Sequence, residues 1–157
     1  MAQNKIKGEL SIEQYRAAME TLPLPTVDVV LFNAEKSEVL LGKRVKEPYA
    51  EMFCTFGGRL YKNEEFADEA CRIIKKETGL SLSPSEITFA GVINEINDVS
   101  LFEGVSYHSV DIYFGCVIEE QAITIDDQHS EARWLPVEYP TLPPHVRARI
   151  NGALRAL

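Results

Sequence analysis

The stretch Gly57–Leu80, GGRLYKNEEFADEACRIIKKETGL, decides how the rest of this chain is read. It opens on a glycine pair, Gly57-Gly58, where the backbone turns tightly and presents its amides or carbonyls to a ligand. Arg59 follows at once. From Glu65 to Thr78 the apolar Phe66, Ala70, Ile73 and Ile74 recur at helical spacing with charged residues between them, which predicts an amphipathic helix with those residues in the core. Gly79 supplies its C-terminal stop. Side chains three and four apart share one face of such a helix, so carboxylates at that spacing can hold a divalent ion together.

Outward from this segment the chain mixes strands and helices. Ser11-Ile12-Glu13-Gln14 has the form of a capping box, so a helix is expected over 12–21, ended by Pro23 and Pro25. Thr26–Phe32 (TVDVVLF) reads as a buried strand and Glu38–Leu41 (EVLL) as its hairpin partner. Two strands are expected near Ile87–Ile96 and Tyr107–Ile118, and a last one at Glu131–Leu135. Val146, Ile150, Ala153, Leu154 and Leu157 outline a C-terminal helix introduced by Pro143-Pro144. Without strict β-α alternation, the class is α/β or α+β around one mixed β-sheet.

Composition sets the outer bounds. At 157 residues the expectation is one domain, 1–157. Hydrophobic residues make up 45% and charged residues 25%, a globular balance that argues against a disordered chain. No apolar run approaches the roughly 20 residues that span a bilayer, and the polar start MAQNKIKGEL lacks a signal-peptide core. Sixteen Lys and Arg against 24 Asp and Glu give a formal net charge of −8. A duplex binder needs a basic face to displace phosphate counterions, so nucleic acid is excluded as a bulk ligand and a small phosphate ester is not. Cys54, Cys71 and Cys116 form no C-x-x-C pair; with no export signal they read as reduced packing residues of a cytoplasmic protein. His108 and His145 read as surface or hydrogen-bonded residues.

The central stretch resembles the Nudix box, G-x5-E-x7-R-E-U-x-E-E-x-G-U with U aliphatic. Gly58, Glu64, Arg72, Ile74, Glu77, Gly79 and Leu80 fall on the pattern with spacing intact. The full pattern carries carboxylates at 73, 76 and 77; this chain has Ile73 and Lys76 and keeps Glu77. That departure resembles one branch, the GDP-mannose mannosyl hydrolases, as do Thr26-Val27-Asp28, Leu40-Leu41-Gly42-Lys43-Arg44, and Asp126 to Leu135 (DDQHSEARWL). Glu95 departs from it, standing where that branch has histidine. The resemblance implies a Nudix-type α/β/α sandwich and Mg²⁺-dependent hydrolysis of GDP-mannose, or a close nucleotide sugar, to GDP and mannose with inversion. It also implies a homodimer.

Roles follow from the resemblance position by position. Glu77, the Gln128 side-chain oxygen and the Gly57 carbonyl are expected to hold one Mg²⁺, for which oxygen donors are suited. His129 is expected to be the general base. Arg59 and Arg72 stabilise the departing diphosphate, with Arg44 beside them. Asp28 is placed against the sugar and Tyr15 near the guanine. Alternatives stay open at several positions. Arg72 could instead orient Glu64 or Glu77 through a charge-assisted pair, Asp28 could serve a structural partner, and Tyr15 could be a packing aromatic. Two further readings of the whole chain are a pyrophosphohydrolase that cleaves the P–O–P bond of a nucleoside diphosphate derivative, and a non-catalytic nucleotide-sensing module.

Overall fold

The structure, a computed structural model, describes residues 9–157. The polar start of the chain, residues 1–8 of the expected single domain, lies outside the described residues. Helix α1, Ile12–Thr21, begins where the sequence predicts it. Ser11 Oγ accepts from the Gln14 amide at 3.2 Å while the Gln14 side chain accepts from the Ser11 amide at 3.0 Å, so two otherwise orphaned donors are satisfied reciprocally.

Strand β1, Leu24–Phe32, is apolar on both sides because both sides are covered. It pairs in parallel with β6, Tyr107–Val117, from Leu24 opposite Ser109 to Phe32 opposite Val117, and a near-continuous apolar run is the mark of a parallel strand buried on two faces. Its other edge is shared. The expected hairpin with β2, Glu38–Arg44, is reduced to Leu31–Leu40 and Phe32–Val39, because β4, Phe56–Arg59, takes Thr26 to Val29. Strand β2 finds its long partner in β7, His129–Pro136, and borders the short β3, Phe53–Cys54. Strand β5, Thr88–Asn97, lies outside β6, so the order is β3-β2-β1-β6-β5 with β4 beside β1 and β7 beside β2.

The two faces of β1 send alternate residues to two helices. Val27, Val29 and Leu31 pack with Ile73 and Ile74 of α2, Phe66–Thr78, whereas Val30 and Phe32 pack with Val146, Ile150 and Ala153 of α3, Pro144–Ala156. The sheet lies between the helices, which is the expected α/β/α sandwich. Asp28 has the parity of the α3 side. Gly79 ends α2 at a φ of 77°, its amide bonded to the Lys75 carbonyl at 3.0 Å, a left-handed backbone that glycine adopts without steric cost. Strand β7 starts at His129 rather than Glu131, opposite Arg44, across a register irregularity at Lys43/Arg44. Among the described residues no helix is long and apolar enough to cross a membrane, and the three cysteines are free.

Candidate active site

A cavity of about 460 Å³ opens over β4, between α1, the C-terminal half of α2 and the loop after Arg44. Its wall includes Tyr15, Asp28, Arg44 and Arg59. It also includes Gly57, Arg72, Glu77 and Gln128. Of the residues singled out in the sequence, only His129 stands outside it.

One end of the cavity is basic. Arg44 is steadied by a 2.8 Å bond from its Nε to the Pro48 carbonyl. Arg72 pairs with Glu69, and its Nε lies 3.7 Å from Glu64. Of the partners open from the sequence, Arg72 therefore takes Glu64 and not Glu77, with Glu69 in addition, and it keeps a face on the cavity.

Next to the arginines, α2 delivers Glu77, whose carboxylate accepts from the Gly57 amide at 3.1 Å and is only 4% exposed. Burial, reinforced by Asp126, pushes its pKa up to about 8, so its charge calls for a cation. In an extended strand the N–H and C=O of one residue point the same way. The Gly57 amide is turned to Glu77, so its carbonyl is turned to that side as well. Glycine is required there, since a Cβ at Gly57 would collide with the Asp28 carboxyl. With Gln128 in the same wall, the donor set of carboxylate, amide oxygen and carbonyl consists of hard oxygens and fits Mg²⁺. Among the described residues no three His, Cys, Asp or Glu side chains are grouped to hold a metal ion.

His129 sits behind this wall. It is 6% exposed, its ring is edge-on to Phe56 at 5.1 Å, and a Cβ at Gly42 would come within 2.6 Å of its Cδ2. Its Nδ1 lies 2.8 Å from the Asp126 carboxylate. A carboxylate only accepts, so Nδ1 carries the proton and Nε2 the lone pair. Burial lowers the pKa of His129, outweighing Asp126, so the ring is neutral near pH 7. A base needs that charge state, but the packing of the ring on Gly42 and Phe56 keeps it off the cavity surface.

The same cavity is bordered by a buried charge cluster that sequence reading missed. Arg149 of α3 is 2% exposed and reaches Asp111 at 2.7 Å, Glu95 at 2.9 Å and Asp28 at 3.8 Å. Asp28 also accepts from Thr55 Oγ1 at 2.5 Å, the structural partner left open in the sequence. Burial raises the Asp28 pKa well above the usual range, more than Arg149 lowers it, and Asp111 adds to the rise. His145 Nε2 stands 3.1 Å from a Glu95 carboxylate oxygen, and the ring lies against that of Tyr49. Burial and the charges of Arg149 and Arg44 push its pKa down to about 3, so the ring that faces Glu95 is neutral. The signal was present. Arg149 occupies the i+3 position of the stripe Val146, Ile150, Ala153, and Glu95 interrupts the apolar GVINEI; each is a charge where burial is due.

Comparison with known proteins follows the same lines. The NUDIX domain model matches residues 22–155. The chain is 28% identical over 141 residues to the low-salt glycan biosynthesis protein Agl8 of Haloferax volcanii, covering 89% of this chain and 88% of that protein. Among solved structures, the NUDIX domain of Shewanella oneidensis NrtR, complexed with ADP ribose, superposes with a TM-score of 0.69 at 20% identity over 93% of this chain and 98% of that one. A MutT/nudix family protein from Enterococcus faecalis gives 0.61 at 23% identity, covering 82% of this chain but 57% of that one.

Proposed function

The chain belongs to the NUDIX family of hydrolases, and from that premise we propose that it hydrolyses a nucleotide sugar of the GDP-mannose type at the glycosidic C–O bond, giving GDP and mannose with inversion. The observation that carries this reading is the uneven wall of the cavity. Arg44, Arg59 and Arg72 line it with a single helical carboxylate, Glu77, where the helix otherwise offers Ile73 and Lys76. The relative named for glycan biosynthesis supports a sugar-linked substrate.

When phosphorus is the electrophile, several ions usually share the work of activating water and neutralising the transferred group. When the anomeric carbon is attacked, the diphosphate is only a leaving group. Arg59 and Arg72, with Arg44 beside them, would then stabilise its growing charge without a proton donor. Nudix hydrolases generally use divalent metal ions, and Glu77, Gln128 and the Gly57 carbonyl would hold one here; bound there, it would add positive charge beside the diphosphate. An inverting attack needs a base on the face opposite the leaving group. The proposed base is His129, neutral, with Asp126 fixing its tautomer; for Nε2 to reach the water the 126–129 turn must swing past Gly42. Tyr15 would meet the nucleoside, while Asp28 is engaged by Thr55 and Arg149.

The placement of His129 behind the wall favours one rival, attack on phosphorus with release of a nucleoside monophosphate and a sugar phosphate. Turnover of GDP-mannose in ¹⁸O-water separates the two. Label in free mannose is the expected result, and label in a phosphate-bearing product overturns carbon attack.

A further inference from the structure

Tyr61, the third residue after the glycine pair, lines the cavity half-buried. Its ring lies 4.0 Å from the guanidinium carbon of Arg72 and 5.1 Å from that of Arg59. One aromatic ring therefore serves two cations. The two guanidiniums that meet this ring carry like charges, and a long side chain left to itself samples many rotamers. The negative face of an aromatic ring counters both effects, since it attracts a cation within about 6 Å of its centroid.

Arg72 is braced from further sides. Glu69, fully buried, pairs with it, and Glu64 stands 3.7 Å from its Nε. Among the described residues Glu69 Oε2 and Arg72 Nε are buried without a hydrogen-bond partner, and the further hold on the guanidinium comes from Tyr61, through its ring and its hydroxyl. A delocalised guanidinium suits such a contact with an aromatic ring better than the compact ammonium of lysine does. The motif leaves position 61 unspecified, so this brace is a property of this chain.

We propose that Tyr61 is a positioning residue that holds both Arg59 and Arg72 as a preformed clamp for a diphosphate. The inference rests on the reading above only in taking the ligand to carry a diphosphate; it does not depend on which bond is cleaved. A ring in a nucleotide cavity has a competing use, stacking on the base, and the two uses predict different ligand dependence. Inorganic pyrophosphate has no base to stack.

The test is calorimetric titration of the full chain, in the presence of Mg²⁺, with GDP and with inorganic pyrophosphate. It compares the wild type with Tyr61→Leu, Tyr61→Gln and Tyr61→Phe, and thermal unfolding selects the variants that are folded. Removing the ring, by Leu or by Gln, is expected to weaken both ligands by the same factor, about tenfold. Tyr61→Phe keeps the ring and is expected to stay within about twofold of the wild type for both. A loss confined to GDP would overturn the proposal in favour of base stacking. Unchanged affinity in folded Leu and Gln variants would overturn it too, as would a Phe variant as weak as they are. A wild type that binds neither ligand would overturn the diphosphate reading of the arginine end, and this inference with it, before any variant is compared.

Discussion

Arg149 and Arg72 border the same cavity and are used in opposite ways. Arg149 is enclosed by Asp28, Glu95 and Asp111 and almost cut off from water. Arg72 is pinned by Glu64 and Glu69 from below yet keeps about a third of its side chain exposed over Tyr61. A guanidinium enclosed by three carboxylates and shut off from water has little left for a ligand. One held by an aromatic face and a carboxylate behind it can still offer donors in front. What separates a structural from a ligand-binding arginine here is therefore how much of the guanidinium the fold leaves open to the cavity, 2% of the side chain at Arg149 against 33% at Arg72.

The largest effect tests the enclosed side. Arg149→Met removes one charge and strands three buried carboxyls, and breaking a buried pair in this way costs about 3–5 kcal/mol. Denaturant unfolding should show a loss of that size, enough to leave a marginal domain largely unfolded. A loss below about 1 kcal/mol would mean that the carboxyls shed their charge together and that Arg149 does not hold the cluster. Arg59→Met, on the open side, should leave the unfolding midpoint nearly unchanged.

The next largest sharpens the contrast between the wall and the layer behind it. His129→Leu keeps volume against Phe56 and Gly42 while removing the imidazole. Turnover should fall by about 10²–10⁴-fold if His129 is the base, with Mg²⁺ affinity measured by thermal shift unaltered. Near-normal kcat would make His129 a packing residue, as its burial alone suggests, and would move the base to a group already in the wall.

Not all of this was open to reading from the chain. The helix over Phe66–Thr78, its glycine stop and the capping box at Ser11 were legible, because each is a local pattern with a local cause. Of the residues that meet in the cavity, Arg72 and Glu77 were legible through spacing within one motif, whereas Tyr15, Asp28, Arg44 and Gln128 came only from the resemblance. The short β4 was not, since four residues containing two glycines carry no strand periodicity, and its place on β1 is set by tertiary pairing with Thr26–Val29. That pairing is also why β1 and β2 meet over so few residues. The Arg149 cluster was missed for a different reason. Its members come from β1, β5, β6 and α3, and only the fold brings residues so distant in sequence within 4 Å.

A smaller effect tests what the open side contributes to binding. Arg59→Ala deletes one charged donor set without disturbing a core, so affinity for a nucleoside diphosphate should fall by about 10- to 100-fold. KM for the nucleotide sugar should rise, and kcat should fall if Arg59 also meets charge that develops in the transition state. A change in KM alone would confine Arg59 to ground-state binding. No change in either would take it out of the clamp and leave Arg72 and Arg44 to hold the diphosphate.

The smallest effect belongs to His145, at the edge of the enclosed cluster. It faces Glu95, Arg149, Arg44 and the Tyr49 ring, and its pKa in the folded protein is about 3, against about 6.5 for an unperturbed histidine. Between those values the unfolded chain binds a proton that the folded chain refuses. Stability supplied by the neutral ring is therefore complete above about pH 6.5 and is lost as pH falls towards 3. Asp28 and Glu77 are shifted upward by burial and work in the opposite direction, which hides the histidine in the wild type. They cancel in a difference. His145→Gln keeps an N–H for Glu95 and removes the titration, so the stability of wild type minus variant should drop by about 1–2 kcal/mol between pH 7 and pH 5. A difference that stays level across that range would mean that Glu95 holds the imidazolium as readily as the neutral ring. The enclosed end of the cavity would then carry one more positive charge than its geometry implies, and the contrast with the arginine end would weaken accordingly.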